Sequence, residues 1–401
     1  MSRDSKPALS SNIEGMTGSA TLAILERVQT ARATGRSVID LGIGEPSFAT
    51  PAFIGDAAAR AIADGKTRYT AVEGIAPLRD VIAVAAHELS GRNGAIDRSH
   101  VVVTCGSKQA LFQSCFVLFG LGDEVLIPSP SWPSYMEMVR LSRATPVAVA
   151  GNPARDWKVD VDALQARASS RTRGLIIGSP ANPTGAVYDI DELRAIAALA
   201  AERGWWIISD EIYGPLSYDG AAPSILAASE PDAAVVAIGG VAKAFAMTGW
   251  RIGWAVAPQS VARAITAVQS HLTSNAATVS QYAALAALER KEEGAAARRA
   301  MLSALRARRA IAADVLSGVY PALSIPAGAF YYFLRVADDV PGASDRFATA
   351  LLDEWAVAVV PGSAFGTEGW VRASFAGEDD DVRTGFQRLA NFLAHGASGA
   401  S

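Results

Sequence analysis

The segment "GGVAKAFAMTGWRIGW" (239–254) carries only two charges, Lys243 and Arg251, among small and apolar residues. A lysine set between Ala242, Ala244 and Phe245 tends to shed its proton, because desolvation penalises the ammonium form, and the free amine is a nucleophile. The arginine eight positions on offers a planar donor fork suited to a phosphate or carboxylate. Further polar residues stand just after apolar runs. "VVVT" (101–104) leads into Cys105, Gly106, Ser107 and Lys108 and then a helical pattern, which would place free backbone N–H groups and the positive end of a helix dipole at an anion. Taken alone, that loop reads more readily as an ordinary tight turn. "GLIIG" (174–178) leads into "SPANPTG" with Asn182, and "WWIIS" (205–209) leads into Asp210, Glu211 and Tyr213.

These residues need a scaffold that brings distant loops to one place. From about residue 100 short β-rich runs alternate with helical ones: "VVVT", "EVLIP" (124–128), "TPVAVA" (145–150), "GLIIG", "WWIIS", "AVVAIGG" (234–240) and "IGWAVA" (252–257), with helices expected from Gln109, from Pro133, near Asp160 and over 193–204. That alternation predicts an α/β fold with a mostly parallel sheet, whose ligands gather at the carboxyl ends of the strands. Beyond it, a long Ala/Arg-rich helix (292–316) and strands at "GAFYYFL" (328–334), "AVAVVPG" (356–362) and "WVRASFA" (370–376) predict a smaller α+β domain. The expected division is an N-terminal arm over 1–17, a small domain formed by 18–48 and 294–401, and a large domain over 49–293, with a boundary in the long helix near Glu293. The arginines at 298, 299, 306, 308 and 309 are expected on a solvated helix face, and "EDDD" (378–381) at the start of the last helix, where acids suit the macrodipole.

Composition narrows the function classes. The chain has 401 residues, 50% of them hydrophobic and 19% charged, enough to bury a large core. A formal net charge of −4 supplies no basic excess for nucleic acid or anionic membrane, so small-molecule partners are expected. No apolar run reaches the roughly 18 residues of a membrane span, and the opening "MSRDSKPALSSNIEG" lacks the apolar stretch of a signal peptide. Cys105 and Cys115 are too few for a disulfide framework and lack zinc-ligand spacing, so both are expected as buried thiols in a cytoplasmic protein, with no metal site. "GIGEPS" (42–47) lacks the third glycine of a dinucleotide fingerprint, and "DGKTRY" (64–69) has Arg60 where a P-loop needs glycine.

An anion cradle, an acid at a strand end and a lysine with its nearby arginine are together the parts that hold pyridoxal 5'-phosphate: by its phosphate, its ring nitrogen and a covalent bond. "SPANPTG", "SDEIYG" and "AKAFAMTGWRIGW", in this order and spacing, closely resemble the motifs of class I aminotransferases, the fold type I pyridoxal-phosphate enzymes. "IDLGIGEPSFATP" (39–51), "GKTRYTAVEGIAPLR" (65–79) and "GSKQALF" (106–112) look most like the bacterial aspartate and prephenate aminotransferase branch. The match runs from about Ser19 to the last helix.

The resemblance implies a role for each matched residue. Lys243 would bind the cofactor covalently and move a proton between substrate and cofactor; Asp210 would pair with the ring nitrogen; Tyr213 and Asn182 would bond the ring oxygen. Gly106, Ser107, Lys108 and Arg251 would hold the phosphate, with Tyr69 arriving from a second subunit, so a homodimer with shared active sites is expected. Trp132 would stack on the ring, Arg372 would clamp the substrate α-carboxylate, and Gly44 would let the backbone approach the substrate. Lys108, with "GSATLA" (18–23), would face a distal carboxylate and so favour aspartate or glutamate. Two departures stand out: Gly240 replaces a serine that many relatives place near the phosphate, and no partner-subunit arginine for a side-chain carboxylate can be located. Transfer on aromatic or other neutral amino acids, and a fold type I β-lyase, are the alternatives within the enzymes. A transcription regulator built on the same domain would need a DNA-binding segment longer than the 17-residue arm.

Overall fold

The computed structural model describes residues 20–91 and 96–395, together with residues 10, 13, 16 and 18. Most of the N-terminal arm therefore lies outside the described residues, as do the side chains of 19–23 in "GSATLA". The strands are β1 (Ile39–Asp40), β2 (Val101–Cys105), β3 (Glu124–Ser129), β4 (Thr145–Ala150), β5 (Thr172–Gly178), β6 (Trp206–Asp210), β7 (Val235–Gly240), β8 (Ile252–Val256), β9 (Tyr331–Arg335), β10 (Val357–Ala358), β11 (Val360–Pro361) and β12 (Trp370–Ser374).

Seven of them form one sheet in the order β2-β8-β7-β6-β5-β3-β4, parallel except for β8, which runs against both of its neighbours. Its middle strands read as unbroken apolar runs because helices cover both faces. The side-chain alternation of a strand then divides one run between two cores. Leu175, Ile177, Ile207, Val235 and Ala237 pack on one side, and Ile176, Ile208, Val236 and Ile238 on the other. Local signals fix where helices begin: Asp160 caps Val161–Arg167, and Asp189 with Glu192 forms a capping box at Ile190–Arg203.

A third core joins Leu41 to residues of β9, β12 and the helices Lys291–Ser317, Ala343–Trp355 and Asp379–His395, and it also takes in Ile212, Tyr213 and Leu216 from beyond β6. Four expectations are corrected here. The strand read at 328–334 begins only at Tyr331: the Ala329 N–H donates to the Leu216 carbonyl, which docks this stretch on the loop after β6 instead of in the sheet. The run 356–362 is two short strands: β10 pairs in parallel with β1, and β11 pairs antiparallel with β12. The arginine-bearing helix does not present one solvated face. Arg308 is buried and bonds Asp379 and Glu378, Arg306 bonds the Tyr218 carbonyl, and Arg309 bonds the Pro326 carbonyl. Cys115 is buried, and its thiol is pushed up to about 12 by desolvation, but Cys105 at the end of β2 is only partly covered.

The reversed direction of β8 places its first residues beside the carboxyl ends of β2 and β7, at the edge where ligands gather. The contact is close. A Cβ on Gly253 would lie 2.2 Å from the Ser107 nitrogen and 2.6 Å from the Gly106 carbonyl carbon, whereas one on Gly249 would meet nothing within 4 Å. Gly253→Ala is expected to cost about 1–3 kcal/mol, since backbone must move, and Gly249→Ala less than about 0.5 kcal/mol. Urea midpoints of the two variants check this; equal midpoints would show that the close approach relaxes freely.

Candidate active site

A cleft of about 690 Å³ opens at that edge, between the sheet and the third core. The segments after β2, β3, β5, β6 and β7 supply Ser107, Lys108, Trp132, Asn182, Tyr213 and Lys243, the last residue of β6 is Asp210, Arg251 immediately precedes β8, and Arg372 enters from β12. Residues up to 330 positions apart thus line one space because every strand but β8 ends there and β8 begins there.

Asp210 closes the floor. Its carboxylate accepts from Tyr135 Oη at 2.7 Å and from the Ile212 N–H at 3.2 Å, and it makes no ion pair among the described residues. Burial raises its pKa, and the two hydrogen bonds only partly oppose that. Above it, Lys243 Nζ donates to the Gly44 carbonyl at 2.5 Å. Its pKa is lowered to about 8, first by burial, then by the Arg372 and Arg251 charges, while Glu45 and Asp210 pull it back up. The free amine is therefore far more populated at neutral pH than for an ordinary lysine, in the direction the apolar setting suggested, although the ammonium form still predominates.

Arg372 is buried, donating to Asn182 Oδ1 at 3.0 Å and to the Gly42 carbonyl at 2.7 Å, and its guanidinium lies 4.2 Å from the Tyr331 ring centre. Its Nε is buried and unpartnered among the described residues. Tyr213 Oη meets Tyr331 Oη at 2.9 Å. At the other end, Gly106 takes φ 77° and precedes the helix Ser107–Leu118. A Cβ there would lie 2.4 Å from Arg251 Nη2, so glycine lets the guanidinium rest on the backbone. The Gly106 N–H donates to the Thr104 carbonyl, which leaves the first-turn N–H groups of Ser107 and Lys108 as the donors without intrahelical acceptors. Lys108 Nζ stands 4.8 Å from the Trp132 ring centre, and its pKa is lowered by desolvation and then by Arg251.

Tyr69 is 89% exposed and does not line this cleft. Gly44 does line it, but a Cβ there would come no closer than 3.9 Å to Tyr331 Oη, so packing within the chain does not demand glycine. Sequence reasoning passed over Tyr135, Tyr331, Asp40 and Glu45, which also line the cleft. Tyr135 was within reach, three residues after Trp132 at the start of a helix, whereas Tyr331 required knowing that β9 crosses behind Tyr213. Among the described residues no group of three or more His, Cys, Asp or Glu could hold a metal, and no helix is long and apolar enough to cross a membrane.

Gly240 has a local explanation. A Cβ there would meet Ser107 Oγ at 2.6 Å and Ile212 Cδ1 at 2.9 Å, and Ser107 Oγ itself donates to the Gly239 carbonyl at 2.8 Å. The Ser107 hydroxyl occupies the room that a side chain at 240 would need. These two are ends of movable side chains, but the Gly253 Cα at 3.2 Å is backbone, so Gly240→Ser is expected to cost about 1–2 kcal/mol. Combined with Ser107→Ala it should cost less than the sum of the two single changes, by about 0.5 kcal/mol or more, in a denaturation double-mutant cycle. Strict additivity would separate the two positions.

Comparison with known proteins agrees with this geometry. The family profile described as "Aminotransferase class I and II" matches residues 36–389. Among curated relatives, the aspartate aminotransferase of Geobacillus stearothermophilus is 39% identical, with 96% of this chain and 98% of that protein covered, and the aspartate/prephenate aminotransferase of Thermus thermophilus is 38% identical with the same coverage. Among solved structures, Thermus thermophilus aspartate aminotransferase with maleate superposes with a TM-score of 0.91 at 37% identity, covering 96% of this chain and all of that one. Aspartate aminotransferase from Thermotoga maritima gives 0.89 at 35% identity over the same share of this chain. A profile that spans nearly the whole fold, together with relatives of equal length, leaves one conclusion: the chain belongs to the class I and II aminotransferases and has the fold type I architecture.

Proposed function

We propose that the chain uses pyridoxal 5'-phosphate to move an amino group from aspartate, or another dicarboxylic L-amino acid, to a 2-oxo acid in a ping-pong cycle. The observation that carries this reading is the placing of a lysine amine of low proton affinity, a buried carboxylate without a counter-cation and a buried arginine around one cleft. The donor set fits the cofactor. Asp210 lacks only a cation, the first-turn N–H groups of Ser107 and Lys108 lack acceptors, and Arg251 presses on Gly106 beside them. When bound, pyridoxal phosphate supplies an aldehyde that amines condense with and a protonated ring that takes up carbanion charge.

The chain's own groups then divide the work. Asp210, fixed by Tyr135, holds a proton at the ring nitrogen, a cation that would bring its raised pKa back down. Asn182 accepts from Arg372 through its oxygen, so its NH₂ is left to donate to the ring oxygen beside Tyr213. Trp132 would offer a face for the ring, and Lys108 Nζ stands 4.8 Å from the Trp132 ring centre. Lys243 carries the proton to and from the substrate Cα, for which an amine titrating near 8 is well matched to neutral pH. Arg372, already oriented by Asn182 and Gly42, receives the substrate α-carboxylate. Residues 49–293 are assigned to the large cofactor-holding domain, and 18–48 with 294–401 to the small domain. The exposed Tyr69 reaches the phosphate of a second subunit in a cytoplasmic homodimer.

Borohydride reduction of the yellow holoprotein followed by peptide mapping should place the pyridoxyl group on Lys243, and a label on another lysine would refute the assignment. Substrate choice rests on Lys108, a cation in the cleft with no carboxylate partner among the described residues. The maleate named with the Thermus thermophilus structure is likewise a dicarboxylate. Loss of one charged hydrogen-bond partner costs about 1.5–3 kcal/mol, so Lys108→Gln should lower kcat/KM for aspartate about ten- to a hundred-fold while sparing alanine and phenylalanine. An equal loss for all substrates would assign Lys108 to the phosphate instead.

A further inference from the structure

The loop that carries Lys243 and Arg251 is tied to the segment before the helix Ala52–Ala63 by side chains with no part in the roles assigned above. Thr248 Oγ1 donates to Glu45 Oε2, Thr50 Oγ1 donates to the Ala246 carbonyl at 2.9 Å, and Trp250 Nε1 donates to Thr50 Oγ1 at 3.1 Å. The loop needs this bracing, because Ala246 and Arg251 hold φ of 50° and 57°, a region that side chains disfavour. Lys243 Nζ spans the same gap to the Gly44 carbonyl, the residue next to Glu45.

We propose that Glu45, held by Thr248, is a positioning residue for Lys243: its carboxylate fixes the Gly44–Glu45 peptide on which Nζ rests and keeps the protonated amine within the cleft. The proposal rests on the reading of Lys243 as the working amine. The charged groups that act on Lys243 are Arg372 from β12 and Arg251 at the far end of its own loop, which disfavour the ammonium form, and Glu45 and Asp210, which favour it. Asp210 would be engaged by a cationic ring nitrogen in the holoenzyme, which leaves Glu45 as the acid free to support the ammonium form. Glu45 is exposed at the rim of the cleft, so it acts without closing the floor.

The test measures Lys243 itself, in cofactor-free protein, by the pH dependence of its acylation followed by mass spectrometry of the peptide. The sign is fixed. Removing a nearby negative charge lowers the pKa of an amine, so more of it is free at a given acidic pH. Glu45→Gln should react about three- to ten-fold faster than the unaltered chain near pH 6, corresponding to a titration about 0.5–1 pH unit lower. Thr248→Val, which leaves the charge but frees it, should shift the rate in the same direction by less, and Thr248→Ser should restore it. In the holoenzyme the acid limb of the kcat/KM profile should move to lower pH in Glu45→Gln. Unchanged acylation profiles in folded Glu45→Gln and Thr248→Val proteins would overturn the proposal, since a purely structural brace would alter stability and not the titration of Lys243. Should Glu45→Gln fail to fold, Thr248→Val and Glu45→Asp carry the same comparison. If Lys243 proved not to hold the cofactor, borohydride mapping would show it independently of these rates.

Discussion

Charge held out of water at one edge of the sheet is the constraint on which the cleft depends. Asp210, Lys243 and Arg372 stand among apolar residues, and each is kept in place by hydrogen bonds rather than by an opposite charge in contact. Such groups are costly unless something completes them. The two that are ordinarily charged acids and amines therefore lie off their usual pKa in opposite senses, Asp210 upward and Lys243 downward. Lone perturbed groups can be structural, but a carboxylate shifted up and an amine shifted down across one cleft mark a place where burial leaves both charges to be completed by a ligand.

The sheet's topology makes that arrangement possible. In a wholly parallel sheet the residue before a strand lies at the opposite edge from the residue after its neighbour. Because β8 is reversed, Arg251 precedes its strand and still meets Gly106, which follows β2. The loop between β7 and β8 can therefore present Lys243 at one end and Arg251 at the other, both facing the same space. The price is two left-handed residues in that loop, and the braces from Thr50 and Glu45 offset it.

The central sheet was legible because its strands are apolar throughout and its turns carry Gly, Pro or Asx residues; the boundaries fell within one or two residues for β2 to β8. Motif residues after the strands were legible for the same reason, since strand ends are where such a sheet exposes its loops. The C-terminal portion was harder. "GAFYYFL" is as β-prone at its start as at its end, and only the docking of Ala329 on Leu216 decides that pairing begins at Tyr331. Nothing local reveals that Val359 divides two strands belonging to different sheets. The arginines of the long helix misled for a related reason. Charge spacing along a helix shows which face a residue is on but not what packs there, and Arg308 meets Asp379 only because the last helix crosses it.

The cations of the cleft also act on one another. Arg251 lowers the proton affinity of both Lys108 and Lys243, and Arg372 lowers that of Lys243. Their mutual repulsion is a stored preference for anions, because each negative group that enters relieves it. By linkage, a phosphate near Arg251 or a carboxylate at Arg372 raises the proton affinity of the neighbouring lysines, so anion binding and proton uptake proceed together. The proton affinity of Lys243 is thus higher when anions fill the cleft than when it is empty. The same cations that draw an anion into the cleft therefore make its arrival a proton-linked event, with the lysines beside Arg251 and Arg372 taking up part of the charge it brings.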